Sequence, residues 1–285
     1  MNAFSSRTLA TPRVSLRVLS VTMLALAATV APAMAGFIPI SSCPFTISTP
    51  GDYQLTTNLA CGGNAITINV SGVSLKLNGY TITAGSAASS AILVQGTGQL
   101  NHVTVSGPGL ITGPFVSGVN ILNTDYAQVS QVTVMGTING GIVVGSSNYA
   151  TVGSNVADHN SDYGIYLGDC NHCTVSGNDA SGNGTGGAGG INFVGGSNNT
   201  VNNNTANGNN FFGIAINSPG TRAFANVANG NSNLGIWVDS IGVEVFNNTS
   251  AVANGGFDLY DSNTGCAGTV WSSDVFFTAN QACVK

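Results

Sequence analysis

Apolar and polar residues alternate along this chain in short runs that return at a nearly fixed interval. Gly141-Ile142-Val143-Val144 is followed by Asn148, Val152, Asn155 and Asn160. Gly164-Ile165-Tyr166-Leu167 is then followed by Asn171, Val175, Asn178 and Asn183, every position displaced by 23 residues. Period-two alternation over a few residues predicts a strand with one buried face, and the Gly- and Asn-rich stretches between predict corners. Such a unit is too small to bury its apolar face alone. Its recurrence therefore predicts coils stacked on one another in a solenoid.

The coils can be counted from small residues that open each unit: Ala91, Gly118, Gly141, Gly164, Gly190, Gly213, Gly235 and Gly256, spaced 27, 23, 23, 26, 23, 22 and 21 residues apart. The 26-residue coil carries its excess in Gly184–Gly189, a corner insertion that leaves the strands in phase. Stacking predicts one buried column of Ile142, Ile165, Ile191, Ile214, Ile236 and Phe257, and a second of Val144, Leu167, Phe193, Ile216, Val238 and Leu259. A third holds Val152, Val175, Val201, Phe224 and Phe246, and small residues at Ala157, Ala180, Ala206, Ala228 and Ala251 mark a crowded bend. Two asparagine columns, Asn155/178/204/226/248 and Asn160/183/209/231/254, are expected at corners. There the side chain tolerates left-handed backbone, and its amide both donates and accepts along a stack.

Both ends of the chain differ from this pattern. Arg7, Arg13 and Arg17 precede an apolar run, Val18 to Val30, and the small-residue site Ala33-Met34-Ala35. Residues 1–35 thus read as a signal peptide cleaved after Ala35, too short for a membrane span, and place the mature chain in the periplasm or outside the cell. Residues 36–90 alternate less regularly and are assigned to an N-terminal cap with the first coils, which protects an otherwise open strand edge; 91–285 are the coils proper. Six cysteines in an exported chain imply disulfides, and their order gives three local pairs: Cys43–Cys61, Cys170–Cys173 and Cys266–Cys283, the last sealing the C-terminal end. Only 6% of residues are charged. After processing, Lys76, Arg222 and Lys285 stand against eleven acids, a net charge of −8, so a basic nucleic-acid footprint is excluded.

The stretch Ala65 to Gly79 and the repeated Gly-Ile-x-Val…Asn-x-x-x-Val-x-x-Asn resemble right-handed parallel β-helix repeat proteins with the pectin-lyase-like fold. The closing Cys266…Trp271…Phe276-Phe277…Cys283 is similar to the end of many exported members. The resemblance covers residues 45–285 and implies an all-β, single-stranded parallel β-helix of nine or ten coils. Its branches include pectate lyases, polygalacturonases, alginate lyases and epimerases, phage tailspikes and a periplasmic copper-maturation protein, so fold is implied more strongly than function.

Each chemistry makes its own demand on the residues. Asn123-Thr124-Asp125 is similar to the first piece of the polygalacturonase pattern, but the Asp-Asp pair, Gly-His-Gly and Arg-Ile-Lys are missing, and Asp125 reads as a turn residue. Uronate lyases and epimerases need a base plus cationic stabilisation of an enolate. Here Arg222 aligns with Glu244 in the next coil as an ion pair, and Lys76 alternates outward into solvent. The epimerase signature Asp-Pro-His-Asp is absent. The richest cluster runs from Asp158 through His159, Asp162, Tyr163, Tyr166 and Asp169 to Cys173. Asp162, Tyr166 and Asp169 are its candidate catalytic residues; one Cys-x-x-Cys supplies too few ligands for a structural zinc, so no metal or other cofactor is expected.

The outward positions of one strand form the column Asn120, Val143, Tyr166, Asn192, Ala215, Trp237 and Asp258. Tyr166 and Trp237 are three coils apart, about 14 Å at one strand spacing per coil. Tyr166, Asn192, Trp237 and Asp258 are the candidate ligand residues, since aromatic faces flanked by Asn and Asp suit sugar rings. The resulting expectation is a non-catalytic exported β-helix that binds extracellular or cell-surface polysaccharide. A lyase, epimerase or glycoside hydrolase acting on polysaccharide is the first alternative, and periplasmic metal handling the second.

Overall fold

Alternating Ile, Val and Leu can hide one face of a three- to five-residue strand only if other strands close around it. The computed structural model, which describes residues 36–285, shows how they do so. Ten strands form one parallel sheet: Phe45–Ile47, Ile66–Ile68, Ala88–Val94, Phe115–Leu122, Ile142–Gly145, Ile165–Gly168, Ile191–Val194, Phe212–Asn217, Leu234–Val238 and Phe257–Asp261. A fourteen-stranded parallel sheet supplies two more walls, because Val103–Thr112 and Gln128–Met135 run through the corner between them. Each coil contributes to the walls in turn, giving a right-handed all-β solenoid of ten coils. A single 3-10 turn, Thr264–Cys266, is the one helical element among the described residues. The expected signal segment, residues 1–35, lies outside the described residues.

The core is a narrow channel of buried aliphatic residues enclosed by the walls. Ile142, Ile165, Ile191, Ile214 and Ile236 stack in register, as do Val144, Leu167, Phe193, Ile216 and Val238. All are 1% exposed or less. Each fully buried aliphatic contributes about 1.5–3 kcal/mol, so the column is cumulative rather than dependent on one cluster.

The expected columns shift phase at three places. Phe224 and Phe246 do not continue the Val152 column: Ala223 and Val245 do, paired in register after Val201. The two phenylalanines point outward and stack face to face, with centroids 5.0 Å apart and planes 9° apart. Arg222 lies over both rings and donates to Glu244 at 2.9 Å, which is the expected ion pair. Ser250, not Ala251, fills the place beside Ala228, where its hydroxyl donates to the Ala228 carbonyl. In the last coil the register is two residues off, so Phe257 pairs with Leu234, Leu259 with Ile236 and Asp261 with Val238. A carboxylate at that core position is tolerated because the Asn263 backbone and amide and the Trp271 indole all donate to it.

Both asparagine columns are continuous ladders. In the first, the backbone N–H and the side-chain amide of each Asn donate to the Oδ1 of the next. The distances are 2.9 and 3.0 Å for Asn155 to Asn178, 2.9 and 2.9 Å for Asn178 to Asn204, and 3.0 and 3.0 Å for Asn204 to Asn226. The second amide hydrogen reaches a carbonyl, as from Asn178 to Val152 at 2.9 Å. The second ladder runs Asn160, Asn183, Asn209, Asn231, Asn254 in the same way. Left-handed backbone falls on the residue before the ladder Asn rather than on the Asn itself, for example Ser154, Asn203 and Ala225 at φ 54° to 56°. The glycines that open five successive coils, Gly141, Gly164, Gly190, Gly213 and Gly235, are required by the second ladder. A Cβ at Gly164 would lie 2.7 Å from the Asn183 amide nitrogen and 2.8 Å from the Ala157 carbonyl.

Each ladder ends on an aspartate, which accepts from the last Asn: Asp274 for the first and Asp258 for the second. Three disulfides join Cys43 to Cys61, Cys170 to Cys173 and Cys266 to Cys283, with no free cysteine among the described residues.

Removing one rung by Asn178→Ala strands the two Asn155 donors in the interior and takes the amide donor from Asn204 Oδ1, which keeps the backbone N–H of residue 178. With unsatisfied buried groups costing about 1–3 kcal/mol each, chemical denaturation should show a loss of at least about 2 kcal/mol. A loss below about 0.5 kcal/mol, the size of an ordinary surface substitution, would contradict the ladder's structural role.

Asp274 gives a pH prediction. Burial pushes its carboxyl up from 3.8 to about 6, against the lowering effect of the Asn248 and Ser272 hydrogen bonds. An acid whose folded pKa is raised favours folding in its protonated form, an effect complete below pH 3.8 and lost as pH rises through about 6. Asp274→Asn should therefore flatten the stability profile across that window and be more stable than the parent above it. Thermal melts at pH 4, 6 and 8 check this; a parent that gains stability from pH 4 to 8 relative to the variant reverses the sign.

Candidate functional site

The outward column of the ten-stranded sheet runs Leu93, Asn120, Val143, Tyr166, Asn192, Ala215, Trp237, Tyr260, in strict register. Alternation dictates this: with Ile165 and Leu167 pointing inward, Tyr166 must point outward. Tyr260, not Asp258, follows Trp237, because the last coil is out of phase. Asp258 takes the place of the coil-opening glycine and is 2% exposed. Its carboxylate accepts from the Asn254 amide and from the Phe277 and Thr278 backbone. Desolvation works to raise its pKa, yet the hydrogen bonds from Asn254, Phe277 and Thr278 together hold it below the ordinary carboxylate value. Asp258 caps a ladder rather than facing a ligand.

The corner before each coil-opening glycine adds side chains to this column's flank. Tyr163 precedes Gly164, and Phe211 and Phe212 precede Gly213. Phe212, Ala215 and Leu234 form a small apolar cluster outside the main core, backed by Tyr163, Phe211, Trp237, Phe257 and Tyr260. Ring centroids lie 5.2 Å apart for Tyr163–Tyr166, 6.4 Å for Tyr163–Phe212 and 6.1 Å for Phe212–Trp237. The Trp237 indole N–H donates to Ser262 Oγ at 2.9 Å, which fixes the ring's orientation.

Two clefts meet at Tyr163. One, of about 260 Å³, is bounded by Tyr163, Asn192, Phe211, Phe212, Trp237 and Asp239. The other, of about 410 Å³, is bounded by Asn120, Asn139, Val143, Asp162, Tyr163 and Tyr166. Together they make a groove that crosses successive strands along the solenoid axis.

The Asp158–Cys173 cluster, dense in sequence, is dispersed around the coil. Asp162 and Tyr166 come together in the second cleft. Asp169 is exposed at the following corner, where its carboxylate lies against Gly195, and it lines neither cleft. Asp158 sits on another wall, in the strand Val156–Asp158. Cys170 and Cys173 are buried and bonded to each other. His172 belongs to a stack missed in the sequence: His102, Tyr126, Tyr149 and His172, with centroids 5.0–5.2 Å apart. Its 24- and 23-residue spacings were a legible signal. Among the described residues, no three His, Cys, Asp or Glu side chains converge to hold a metal ion.

Burial holds the Asp162 carboxyl above its ordinary range. Burial likewise raises the Tyr163 phenol, with the Asp162 charge adding to the effect and the Asn192 amide opposing it. Tyr166 is raised by burial and by Asp169. The groove thus pairs apolar ring faces with amides, phenols and carboxylates, a combination suited to polyhydroxylated ligands.

Comparison with known proteins bears on the fold. Residues 117–280 match the family model described as right handed beta helix region. The A-module of mannuronan C-5 epimerase AlgE6 from Azotobacter vinelandii is similar in structure, with TM-score 0.55, 14% identity, and 88% of each chain covered. The AlgE4 A-module from the same organism gives TM-score 0.51 and 14% identity, covering 81% of this chain and 88% of that one. ORF18 of Geobacillus virus E2 gives 0.56 and 12%, covering 82% of this chain and about half, 51%, of the viral one. No curated protein matches the sequence.

Proposed function

Because this chain belongs to the right-handed β-helix family, we propose that it is an exported polysaccharide-binding protein that holds an extended glycan along the groove of its ten-stranded sheet. The observation that carries this is the row of rings from Tyr166 through Tyr163 and Phe212 to Trp237, which borders two contiguous clefts. One coil advances by about 4.8 Å, close to the advance of one sugar unit in an extended chain. A glycan lying along the axis would therefore meet about one strand's outward side chain per sugar unit. Ring faces pack on the apolar faces of sugars, while Asn192, Asn120 and Asp239 exchange hydrogen bonds with hydroxyls. Export accords with three disulfides in one chain. Two of the structures likened to it above are modules of two mannuronan C-5 epimerases, which supports a polysaccharide as the ligand class.

A second reading, catalysis on the same polysaccharide, is favoured by one feature. Asp162, its carboxyl raised by burial, shares a cleft with the Tyr163 and Tyr166 phenols. An acid held above its ordinary pKa beside a phenol is a usable proton-transfer pair. The two readings part on product formation.

A panel of polysaccharides and oligosaccharides, scored for retention and for new reducing ends or unsaturated products, tests both. Binding without product is expected, with Trp237→Ala weakening it about tenfold, equivalent to about 1.4 kcal/mol. Gln128→Ala, on the other sheet, should leave affinity unchanged. Turnover lost in Asp162→Asn would establish the catalytic reading instead, and retention unaltered by both Trp237→Ala and Tyr166→Ala would remove the groove as the site.

A further inference from the structure

The groove has a charge character that narrows the ligand. Asp162 and Asp239 stand along it, one in each cleft, and the remaining polar lining is uncharged, made of amides such as Asn120, Asn139 and Asn192, the Tyr163 and Tyr166 phenols and the Ser117 hydroxyl. Among the described residues there are three side-chain cations, and none lines either cleft. Lys76 is on the fourteen-stranded sheet with its ammonium 4.6 Å from the centre of the Phe37 ring. Arg222, on the same sheet, is paired with Glu244 at 2.9 Å and lies over Phe224 and Phe246. Lys285 ends the chain.

Resting on the glycan-binding reading above, we infer that the groove selects neutral polysaccharides and discriminates against polyuronates. A neutral sugar brings hydroxyl donors to Asp162 and Asp239, and each carboxylate oxygen can accept more than one of them. A uronate unit replaces one such donor with a carboxylate. That carboxylate meets no cation in the groove, is desolvated against aromatic rings, and is repelled by the acids already there. The chemistry is the reverse of what a uronate site needs, where cations neutralise the substrate. It thus separates this chain's ligand from mannuronan, which appears in the name of the epimerase modules that share its fold.

The test is calorimetric titration of the full mature chain with hexasaccharides of neutral sugars (β-glucan, mannan and xylan fragments) and of mannuronate and galacturonate. Each set is run at 20 mM and 500 mM NaCl. The expected result is a neutral oligosaccharide bound at least tenfold more tightly than either uronate at low salt. The gap should narrow at high salt as screening weakens repulsion. Asp239→Lys, at an exposed position, should narrow it further by raising uronate affinity. Uronate binding as tight as neutral binding, and lost in Trp237→Ala, would overturn the charge selection while leaving the groove as the glycan site. No binding of any oligosaccharide would overturn the glycan-binding reading itself, and this inference with it.

Discussion

The structure depends on how a stack of coils satisfies the backbone at corners that face the interior. Strands in the walls pair with the coils above and below, but a corner breaks the ladder and leaves N–H and C=O groups where water cannot reach them. Asparagine resolves this because its amide is the smallest side chain with both a two-lone-pair acceptor and two donors. An inner rung such as Asn178 accepts twice at its Oδ1 and donates both amide hydrogens, so neither the side chain nor the adjacent corner is left unpaired. At the last coil an acceptor alone is needed: Asp274 stands where the first column's next asparagine would, and Asp258, in the place of a coil-opening glycine, accepts from Asn254 at the end of the second.

Fixing the corners fixes everything that faces outward. Once the ladders hold successive coils in register, alternation decides which side chains are buried and which stand in columns on the surface. The groove is a product of that regularity combined with local exceptions. Bulky rings at the corner before Gly164 and Gly213 rise beside the outward column and make clefts on a wall that would otherwise be flat. The same order that makes the scaffold rigid keeps the ring faces of Tyr166 and Trp237 in place before any ligand arrives, which lowers the ordering penalty of binding.

Most of the architecture was legible because the ladder asparagines recur at intervals that no other constraint would impose. Where the columns depart from expectation, the ladder and not the size of the hydrophobe sets the phase. Val152, Val175 and Val201 each precede their ladder Asn by three residues; the same offset from Asn226 and Asn248 gives Ala223 and Val245, which are the buried residues. Phe224 and Phe246 drew attention by size, but the channel has room for the small residue and the surface stack accommodates the rings. Asp258 was misplaced for a related reason. The last coil opens on an aspartate instead of a glycine, a substitution possible only where the ladder ends. The site was less legible, because Tyr163 and Phe211 belong to corners and Phe212 is the first residue after one. Corner side chains follow no alternation, and their direction depends on the three-dimensional bend.

The protein contains two tryptophans, and they differ in the way a decisive measurement needs. Trp237 is on the groove with its indole N–H on Ser262, whereas Trp271 is buried in the C-terminal coil with its indole N–H on Asp261. Two-dimensional NMR of the indole N–H resonances during titration with a bound oligosaccharide reads each separately. The expected result is a saturable shift of the Trp237 resonance with the Trp271 resonance unmoved. Saturable binding that leaves Trp237 fixed would contradict the placement of the ligand on the ten-stranded sheet.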